Sequence, residues 1–313
     1  MTSYLFIINP NARNGDIGKM WPKVEEEILK RGLDHKSVYT KHQGHAIELA
    51  KEMEKDFDCV VAVGGDGTIN EVANGLYGTD TIFGLIPLGN GNDFAVSLKF
   101  NDDFRRSLDV LEASKTIGVT VGIAETNGTK RYFVNIADTG VGATVSVASF
   151  TEAKWLRGYV KYYYLALKKL LQYRLVKSTI TIDDEVIKDV GLVIIAVGSG
   201  SRFGSGFNIL PDNYHFMEDF AVLYGRDIGK LKQIKLLNLL KPGKHLGYDG
   251  VYYLRAKKVS LEMEKSLPIE LEGEILSYGS TNVSFEVAPQ KLQTIVPDEI
   301  IELEKQYRAN QSL

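Results

Sequence analysis

The chain has 313 residues, 44% of them hydrophobic and 25% charged, and this length and composition predict two folded domains. Its 37 basic and 40 acidic residues give a formal net charge of −3 at pH 7, which excludes a global field that would recruit nucleic acid. A single cysteine excludes an intramolecular disulfide, and neither a signal-peptide pattern nor a membrane-spanning apolar run is present. These features predict a cytoplasmic protein.

Residues 1–124 alternate short apolar runs with amphipathic segments, which is the pattern of βαβ units that build a parallel sheet. We expect strands over residues 4–8, 36–39, 59–63 and 82–86. We expect the helices between them over residues 20–30, 45–55 and 68–76. This region is therefore predicted to form an α/β domain.

Residues 125–296 contain mostly β-rich segments, and residues 117–124 are expected to lead into them as one strand. Helical patterns interrupt these segments over residues 154–173 and 230–240, so we predict an antiparallel β-sandwich domain with helices laid on it. Residues 297–313 are expected to form a closing helix that packs back on the first domain. Pro297 and the acidic residues after it are typical of a helix start.

The third predicted strand runs directly into the loop Gly64-Gly65-Asp66-Gly67-Thr68, which is followed by a predicted helix. Glycines at a strand-to-helix turn allow backbone amides to approach phosphate oxygens, and the helix adds the positive end of its dipole. The alternative interpretation is a tight turn whose glycines only supply positive φ angles. Three glycines around one acidic residue at the end of a parallel strand favour the phosphate site.

Two other loops are expected at the same edge of the sheet. The fourth strand ends before Gly89-Asn90-Gly91-Asn92, and the first strand ends in a polar loop from Asn9 to Gly15, in which Arg13 suits phosphate. Neither a Walker-type P-loop nor a Gly-x-Gly-x-x-Gly motif after a strand occurs. The predicted fold class is therefore α/β, with an N-terminal Rossmann-like parallel-sheet nucleotide domain and a C-terminal antiparallel β-sandwich domain.

These loops resemble those of the bacterial diacylglycerol-kinase-like lipid kinases, which are related to sphingosine and ceramide kinases and more distantly to NAD kinase. The resemblance implies a cleft between the two domains that binds ATP, and an acceptor lipid contacted by Asn92 and Asp93. Asn90 stands where the family usually has Thr. The residues implied to bind ATP are Asn9, Pro10, Asn11, Ala12, Arg13, Thr40, Gly64, Gly65, Asp66, Gly67, Thr68, Ile69, Asn70, Glu71 and Asn90.

Phosphoryl transfer requires carboxylates that hold Mg²⁺ and orient the attacking hydroxyl. Asp66 is suited to either role, although an aspartate there could also cap a helix. Glu270, Glu272 and Glu274 alternate along one predicted strand, which by itself is more typical of a solvated face. The resemblance implies that Glu274 is the proton acceptor and that Glu272 replaces a family Asp.

The resemblance also implies a separate Mg²⁺ site in the segment that contains His215, Glu218 and Phe220. The alignment needs a one-residue insertion, after which Glu218 matches a metal-binding Asp. The carbonyl oxygens of His215 and Phe220 would be its companions.

Three lysines, Lys154, Lys161 and Lys168, recur every seven residues along the predicted helix at 154–173. They suggest contact with an anionic membrane at its inner face, but a helix packed on the sandwich with solvated lysines would have the same pattern.

The expected reaction is Mg²⁺-dependent transfer of the γ-phosphate of ATP to a lipid hydroxyl, with diacylglycerol as acceptor. The alternatives are a kinase for NAD or another small molecule and a non-catalytic nucleotide- or lipid-binding regulator. ATP, the lipid and the membrane are the expected partners. No nucleic acid is expected, and a homodimer is left open.

Overall fold

A computed structural model describes residues 2–311, without the side chain of Asn14. Residues 1, 312 and 313, which belong to the expected first and last segments, lie outside the described residues. The chain forms two compact units. The first joins the residues up to Val119 with those from Gln290 onward, and the second spans Thr120–Pro289.

The first unit is built on a six-stranded sheet with the order β2-β1-β3-β4-β15-β5. All neighbouring strands run parallel except β15 and β5, which are antiparallel. Its strands are β1 (Ser3–Ile8), β2 (Asp34–Tyr39), β3 (Cys59–Gly64), β4 (Ile82–Pro87), β5 (Thr116–Val119) and β15 (Leu292–Ile295). Its helices are α1 (Asp16–Lys30), α2 (His45–Met53), α3 (Asp66–Leu76), α4 (Asp93–Ser97), α5 (Phe104–Ala113) and α9 (Asp298–Gln311).

The hydrophobic pattern of the sequence accounts for this unit. Strand β3 is buried along its whole length, as expected for a central parallel strand with helices on both faces. Helix α1 buries Ile17, Trp21, Val24 and Ile28, whose spacing of three or four residues forms one apolar stripe. The predicted parallel-sheet domain is confirmed.

The C-terminal helix packs on this first unit. Ile300 is buried, Asp298 forms an ion pair with Lys115 at 2.8 Å, and Glu299 forms one with Arg106 at 2.6 Å. Strand β15, which precedes the helix, already belongs to the first sheet. The chain therefore returns to this unit at Gln290, earlier than the expected boundary at residue 296.

The second unit is built on a nine-stranded antiparallel sheet with the order β12-β11-β10-β8-β13-β14-β6-β7. Strand β9 pairs with both β10 and β13, which are long and contain register shifts. Its strands are β6 (Gly122–Thr126), β7 (Thr129–Phe133), β8 (Ile136–Gly140), β9 (Val176–Ile182), β10 (Glu185–Gly198), β11 (Phe220–Arg226), β12 (Val251–Ala256), β13 (Lys258–Leu271) and β14 (Glu274–Val287). Its helices are α6 (Val141–Thr151), α7 (Gly158–Gln172) and α8 (Lys230–Leu240). The predicted antiparallel domain is confirmed.

Two local features differ from the sequence-based expectation. Residues 117–124 form two strands in different sheets, because the chain bends at Thr120, whose N–H donates to the carbonyl of His215 at 2.8 Å. Helix α6 was not expected, because its many β-branched residues favour strands. Most of its side chains are buried, so packing outweighs this local preference.

Candidate active site

The first glycine loop brings together the ends of β1 and β3. The side-chain amide of Asn9, directly after β1, donates to Thr68 Oγ1 at 3.1 Å. A Cβ atom at Gly64 would lie 2.6 Å from the same oxygen, so this position has no room for a side chain. The first turn of α3 is thereby held against the ends of both strands.

The second glycine loop touches the first one, backbone to backbone. The N–H of Leu88 donates to the carbonyl of Gly64 at 2.9 Å, and a Cβ at Gly89 would lie 2.4 Å from the Cα of Gly65. Asn92 has a positive φ of 56° and accepts a hydrogen bond from the N–H of Gly89 at 2.9 Å. The two loops therefore form one continuous surface at the carboxyl edge of the sheet.

Asp66 joins these two loops. Its Oδ1 accepts a hydrogen bond from the N–H of Phe94 at 3.2 Å. Burial raises the pKa of the Asp66 carboxyl, while the backbone N–H groups of Phe94, Asp93 and Asn92 act in the opposite direction. A positively charged partner would therefore stabilise the ionised form of this carboxylate.

Several of the residues that the resemblance implies for ATP binding also hold neighbouring backbone in place through hydrogen bonds. Both oxygens of Glu71 accept backbone hydrogen bonds, from Gly44 at 2.8 Å and Ala46 at 3.2 Å, so this side chain fixes the start of α2. Thr40 is mostly buried, and its N–H donates to the carbonyl of Ile8. Arg13 is partly exposed in the loop after β1 and has a positive φ of 53°. Contact of these residues with a nucleotide stays a prediction.

The remaining loop residues differ in exposure. Asn90 is exposed at the tip of the second loop. Asn92 and Asp93 are more than nine-tenths buried, and Asn92 braces its own loop. The contacts predicted for Asn92 and Asp93 with a lipid acceptor stay predictions. The partly exposed members of the ATP set are Asn9, Pro10, Ala12, Arg13, Gly65, Asp66 and Gly67. Asn11 is exposed, and Ile69 and Asn70 are buried in α3.

In the second unit, the three glutamates predicted on one strand face separate into different environments. The antiparallel pair β13–β14 turns at Glu272 and Gly273, which interrupts the expected alternation. Glu272 is buried and accepts hydrogen bonds from the N–H groups of Val134 and Asn135. Glu274, the predicted proton acceptor, forms an ion pair with Arg131.

Glu270 lies opposite Asp138, a residue that the sequence did not single out. The two residues pair across β13 and β8, and both are almost fully buried. No backbone N–H or basic side chain among residues 2–311 donates to either Asp138 oxygen. Burial raises the pKa of Asp138 to about 7, with a smaller opposing effect from Glu270. Asp138 therefore titrates near neutral pH, whereas Oε1 of Glu270 accepts a hydrogen bond from the N–H of Gly273.

The three residues of the predicted second Mg²⁺ site have different environments. The carbonyl of His215 accepts the N–H of Thr120, and Phe220 begins β11. The His215 ring is buried with Ser199 Oγ 3.2 Å from Nδ1, and burial lowers its pKa to about 3, so the ring is neutral. Glu218 is exposed. The predicted metal role of these three residues stays a prediction.

Among the described residues, no three His, Cys, Asp or Glu side chains gather in a way that could hold a metal ion alone. This does not conflict with Mg²⁺ at Asp66, because Mg²⁺ typically takes one or two carboxylates and completes its shell with water and substrate phosphates. The hard oxygen of Asp66 beside the glycine loops fits that donor chemistry. An ion bound there would neutralise phosphate charge.

Two family profiles match the chain. Residues 3–124 match the diacylglycerol kinase catalytic domain, and residues 135–296 match the YegS C-terminal NAD kinase beta sandwich-like domain. An α/β unit with paired glycine loops and an antiparallel β unit of this type define a class of two-domain kinases. The chain belongs to the bacterial diacylglycerol-kinase-like family, and it is a lipid kinase enzyme.

Similar proteins span the same length. A diacylglycerol kinase of Staphylococcus saprophyticus is 27% identical over 298 residues, which cover 94% of this chain and 95% of that protein. One from Staphylococcus carnosus is 26% identical with the same coverage. The crystal structure of a diacylglycerol kinase from Bacillus anthracis covers 96% of this chain and 98% of its own, with a TM-score of 0.71 and 21% identity.

A more distant fold likeness links the chain to another kinase. An NAD kinase from Archaeoglobus fulgidus, crystallised with ATP, aligns with a TM-score of 0.53 and 12% identity. It covers 96% of this chain and 95% of its own. The likeness concerns the fold alone.

The sequence did not indicate Asp138 or Arg131 as site residues. Their partners, Glu270 and Glu274, are more than 130 positions away along the chain, and the register of antiparallel strands brings them together. Alternating polarity on a strand does not reveal which distant strand becomes its neighbour.

Proposed function

We propose that the protein transfers the γ-phosphate of ATP, with Mg²⁺, to the hydroxyl of diacylglycerol and so forms phosphatidic acid. The observation that carries the proposal is the contact between the two glycine loops, with Asp66 between them. Backbone amides of such loops suit phosphate oxygens. The names of the Staphylococcus relatives support diacylglycerol as the acceptor.

In this proposal, the loop residues position the phosphates and Asp66 holds Mg²⁺, directly or through water. Mg²⁺ would offset the charge that develops on the transferred phosphoryl group. Glu274 accepts the proton of the lipid hydroxyl. Asn9 and Thr68 fix the loop without taking part in bond changes.

Labelled ATP and Mg²⁺ should be incubated with mixed micelles that carry diacylglycerol, a sphingoid base or another long-chain alcohol. NAD and fructose 6-phosphate serve as soluble acceptors in parallel. We expect label in phosphatidic acid, and loss of that label when Mg²⁺ is removed by a chelator. Label in a sphingoid base would change the acceptor, and label in NAD alone would refute the proposal.

We infer further that the enzyme meets its lipid at an anionic membrane through the outer face of α7 and the segment before it. None of the helices in residues 2–311 is long and apolar enough to cross a bilayer. Trp155 is 77% exposed and Val160 and Leu171 are each 59% exposed, and such side chains suit the interface of a bilayer. Lys154 and Arg157 are exposed beside Trp155.

The lysines predicted for this contact have different environments. Lys161 donates to the carbonyl of Ser149 at 2.8 Å, and Lys168 pairs with Glu152 at 2.8 Å. Lys154 is therefore the member of the three that is best suited to an anionic surface. Charge reversal at Lys161 or Lys168 would also disturb contacts inside the unit.

The membrane proposal is tested with the double substitution Trp155→Ser and Val160→Ser. We expect weaker binding to vesicles of anionic lipid and slower turnover of vesicle-embedded substrate, with normal turnover of a short-chain soluble analogue. Leu29→Ser, at a residue 65% exposed on α1, is the matched control. Unchanged vesicle binding, or equal losses on both substrates, would refute this surface.

A further inference from the structure

Glu274 follows a turn with unusual backbone geometry. Leu271 pairs with Glu274 across a two-residue turn, in which Glu272 has a φ of 55° and Gly273 a φ of 89°. Positive φ at both positions is typical of a type I′ hairpin, which favours Asn, Asp or Gly. A glutamate is strained at the first position, because its Cβ crowds the backbone at positive φ, so other contacts must stabilise the turn.

Those contacts come from the segment that joins β7 to β8. The buried Glu272 carboxylate accepts hydrogen bonds from the N–H groups of Val134 and Asn135. The N–H of Glu272 in turn donates to the carbonyl of Ile136 at 3.1 Å. Side chain and backbone together attach the turn to residues 134–136.

Arg131 lies just before this segment and reaches the carboxylate that follows the turn. Its Nη2 donates to Oε2 of Glu274. The side chains are only 22% and 18% exposed, so water screens the pair less than it would on the surface. In the described residues, no other hydrogen bond to the Glu274 carboxylate is found, so its second oxygen keeps its acceptor capacity.

We propose that Arg131 is a positioning residue for phosphoryl transfer, which holds the Glu274 carboxylate in the orientation that accepts the proton of the lipid hydroxyl. This inference rests on the proposed role of Glu274. Arg131 itself takes no part in making or breaking covalent bonds. It acts because a charge-assisted hydrogen bond is directional and limits the rotamers of a side chain that would otherwise move freely.

The alternative is that the ion pair only stabilises the fold. A structural pair would change the melting temperature without a separate effect on kcat. A positioning role predicts a lower kcat with an unchanged KM for ATP, because the ATP-binding loops are in other parts of the chain. A positioning role also predicts that kcat recovers when lysine, which keeps the positive charge, replaces Arg131.

The test compares Arg131→Gln, Arg131→Lys and Glu274→Gln in the full-length enzyme, with diacylglycerol micelles, ATP and Mg²⁺. We expect kcat to fall at least about tenfold in Arg131→Gln and to recover at least about fivefold in Arg131→Lys, with the KM for ATP unchanged in both. Lys130→Gln, at the exposed neighbouring position, is the control and should match the wild type. Melting temperatures are measured for every variant.

Each result has a distinct meaning. If Glu274→Gln is inactive and Arg131→Gln retains more than a third of wild-type kcat, Arg131 has no positioning role and the proposed function stands. Equal losses in Arg131→Gln and Arg131→Lys would also overturn the inference. If Glu274→Gln keeps wild-type kcat, the role of Glu274 in the proposed function fails, and the inference fails with it.

Discussion

The two units hold their acidic groups in contrasting ways. In the first unit, Asp66 lies between two loops that follow neighbouring parallel strands, and backbone N–H groups surround its carboxylate. In the second unit, Asp138 and Glu270 meet across antiparallel strands, and no backbone N–H in residues 2–311 reaches Asp138. Backbone amides can support a charge without a partner side chain, whereas a buried acid pair depends on a shared proton.

From this contrast we expect that replacing the aspartate by asparagine lowers activity without loss of stability in the first unit. In the second unit the same replacement should change stability. Asp66 can become Asn and still accept the N–H of Phe94. Asp138 can become Asn and lose only a charge that is costly to bury. The same chemical change should therefore lower activity in the first unit and raise stability in the second.

The largest expected effect is at Asp66. Asp66→Asn should lower turnover by about 100-fold, or about 2.7 kcal/mol, because the neutral amide binds Mg²⁺ more weakly than a carboxylate and cannot accept a proton. The melting temperature should stay the same or rise, since burial disfavours the charged form of Asp66. Turnover and thermal unfolding are measured on one preparation.

Asp80→Asn, at an exposed position before β4, is the matched control and should leave both quantities unchanged. Retention of more than about a tenth of wild-type turnover by Asp66→Asn would remove Asp66 from the chemistry.

The next effect depends on pH. Burial raises the pKa of Asp138 from 3.8 to about 7, so between these values the unfolded chain releases a proton that the folded protein keeps. The free energy of unfolding of the wild type therefore falls as the pH rises from about 4 to 7, and this loss is complete above 7. Asp138→Asn lacks the titration.

The stability advantage of Asp138→Asn over the wild type should thus be about 2 kcal/mol larger at pH 8 than at pH 5. Denaturant unfolding at the two pH values measures it. Asp184→Asn, at an exposed turn residue of the same unit, should show no such difference. An advantage that is equal at both pH values would mean that the pair does not titrate in this range.

The sequence was informative where structure follows from local pattern. Strands β1, β3 and β4 and their glycine loops could be predicted, because parallel strands alternate with helices and end at one edge of a sheet. The contact between Gly65 and Gly89 follows from β3 and β4 being neighbours. The ion pair of Arg131 with Glu274 could not be predicted, because it depends on strand register across the second unit.

Gly142, near the start of α6, offers a smaller test of the buried pair. A Cβ at this position would lie 1.7 Å from Oδ2 of Asp138, and this oxygen belongs to a short, buried side chain. Gly142→Ala should therefore cost about 1.5 kcal/mol of the free energy of unfolding, because Asp138 must shift.

The same substitution should reverse its sign in an Asp138→Ala background. With the carboxylate gone, alanine stabilises the helix relative to glycine by up to about 1 kcal/mol. The four proteins of this double-mutant cycle are compared by denaturant unfolding at one pH. If the effects of the two substitutions on the free energy of unfolding are additive, the close approach of Gly142 to Asp138 does not affect stability.

The smallest expected effect is at Asn90, where the resemblance to the lipid kinases predicts Thr. Asn90 is exposed at the tip of the second glycine loop, and no hydrogen bond of its side chain to another described residue is found. Asn90→Thr should change the free energy of unfolding by less than about 0.5 kcal/mol, as is usual for surface positions. The KM for ATP should stay equal or fall, because both side chains can donate a hydrogen bond to a phosphate oxygen.

Gly89→Ala is the contrasting variant, since its Cβ would lie 2.4 Å from the Cα of Gly65 and force the two loops apart. If Asn90→Thr abolished activity while Gly89→Ala did not, the tip of the loop, and not the contact between the loops, would control nucleotide binding.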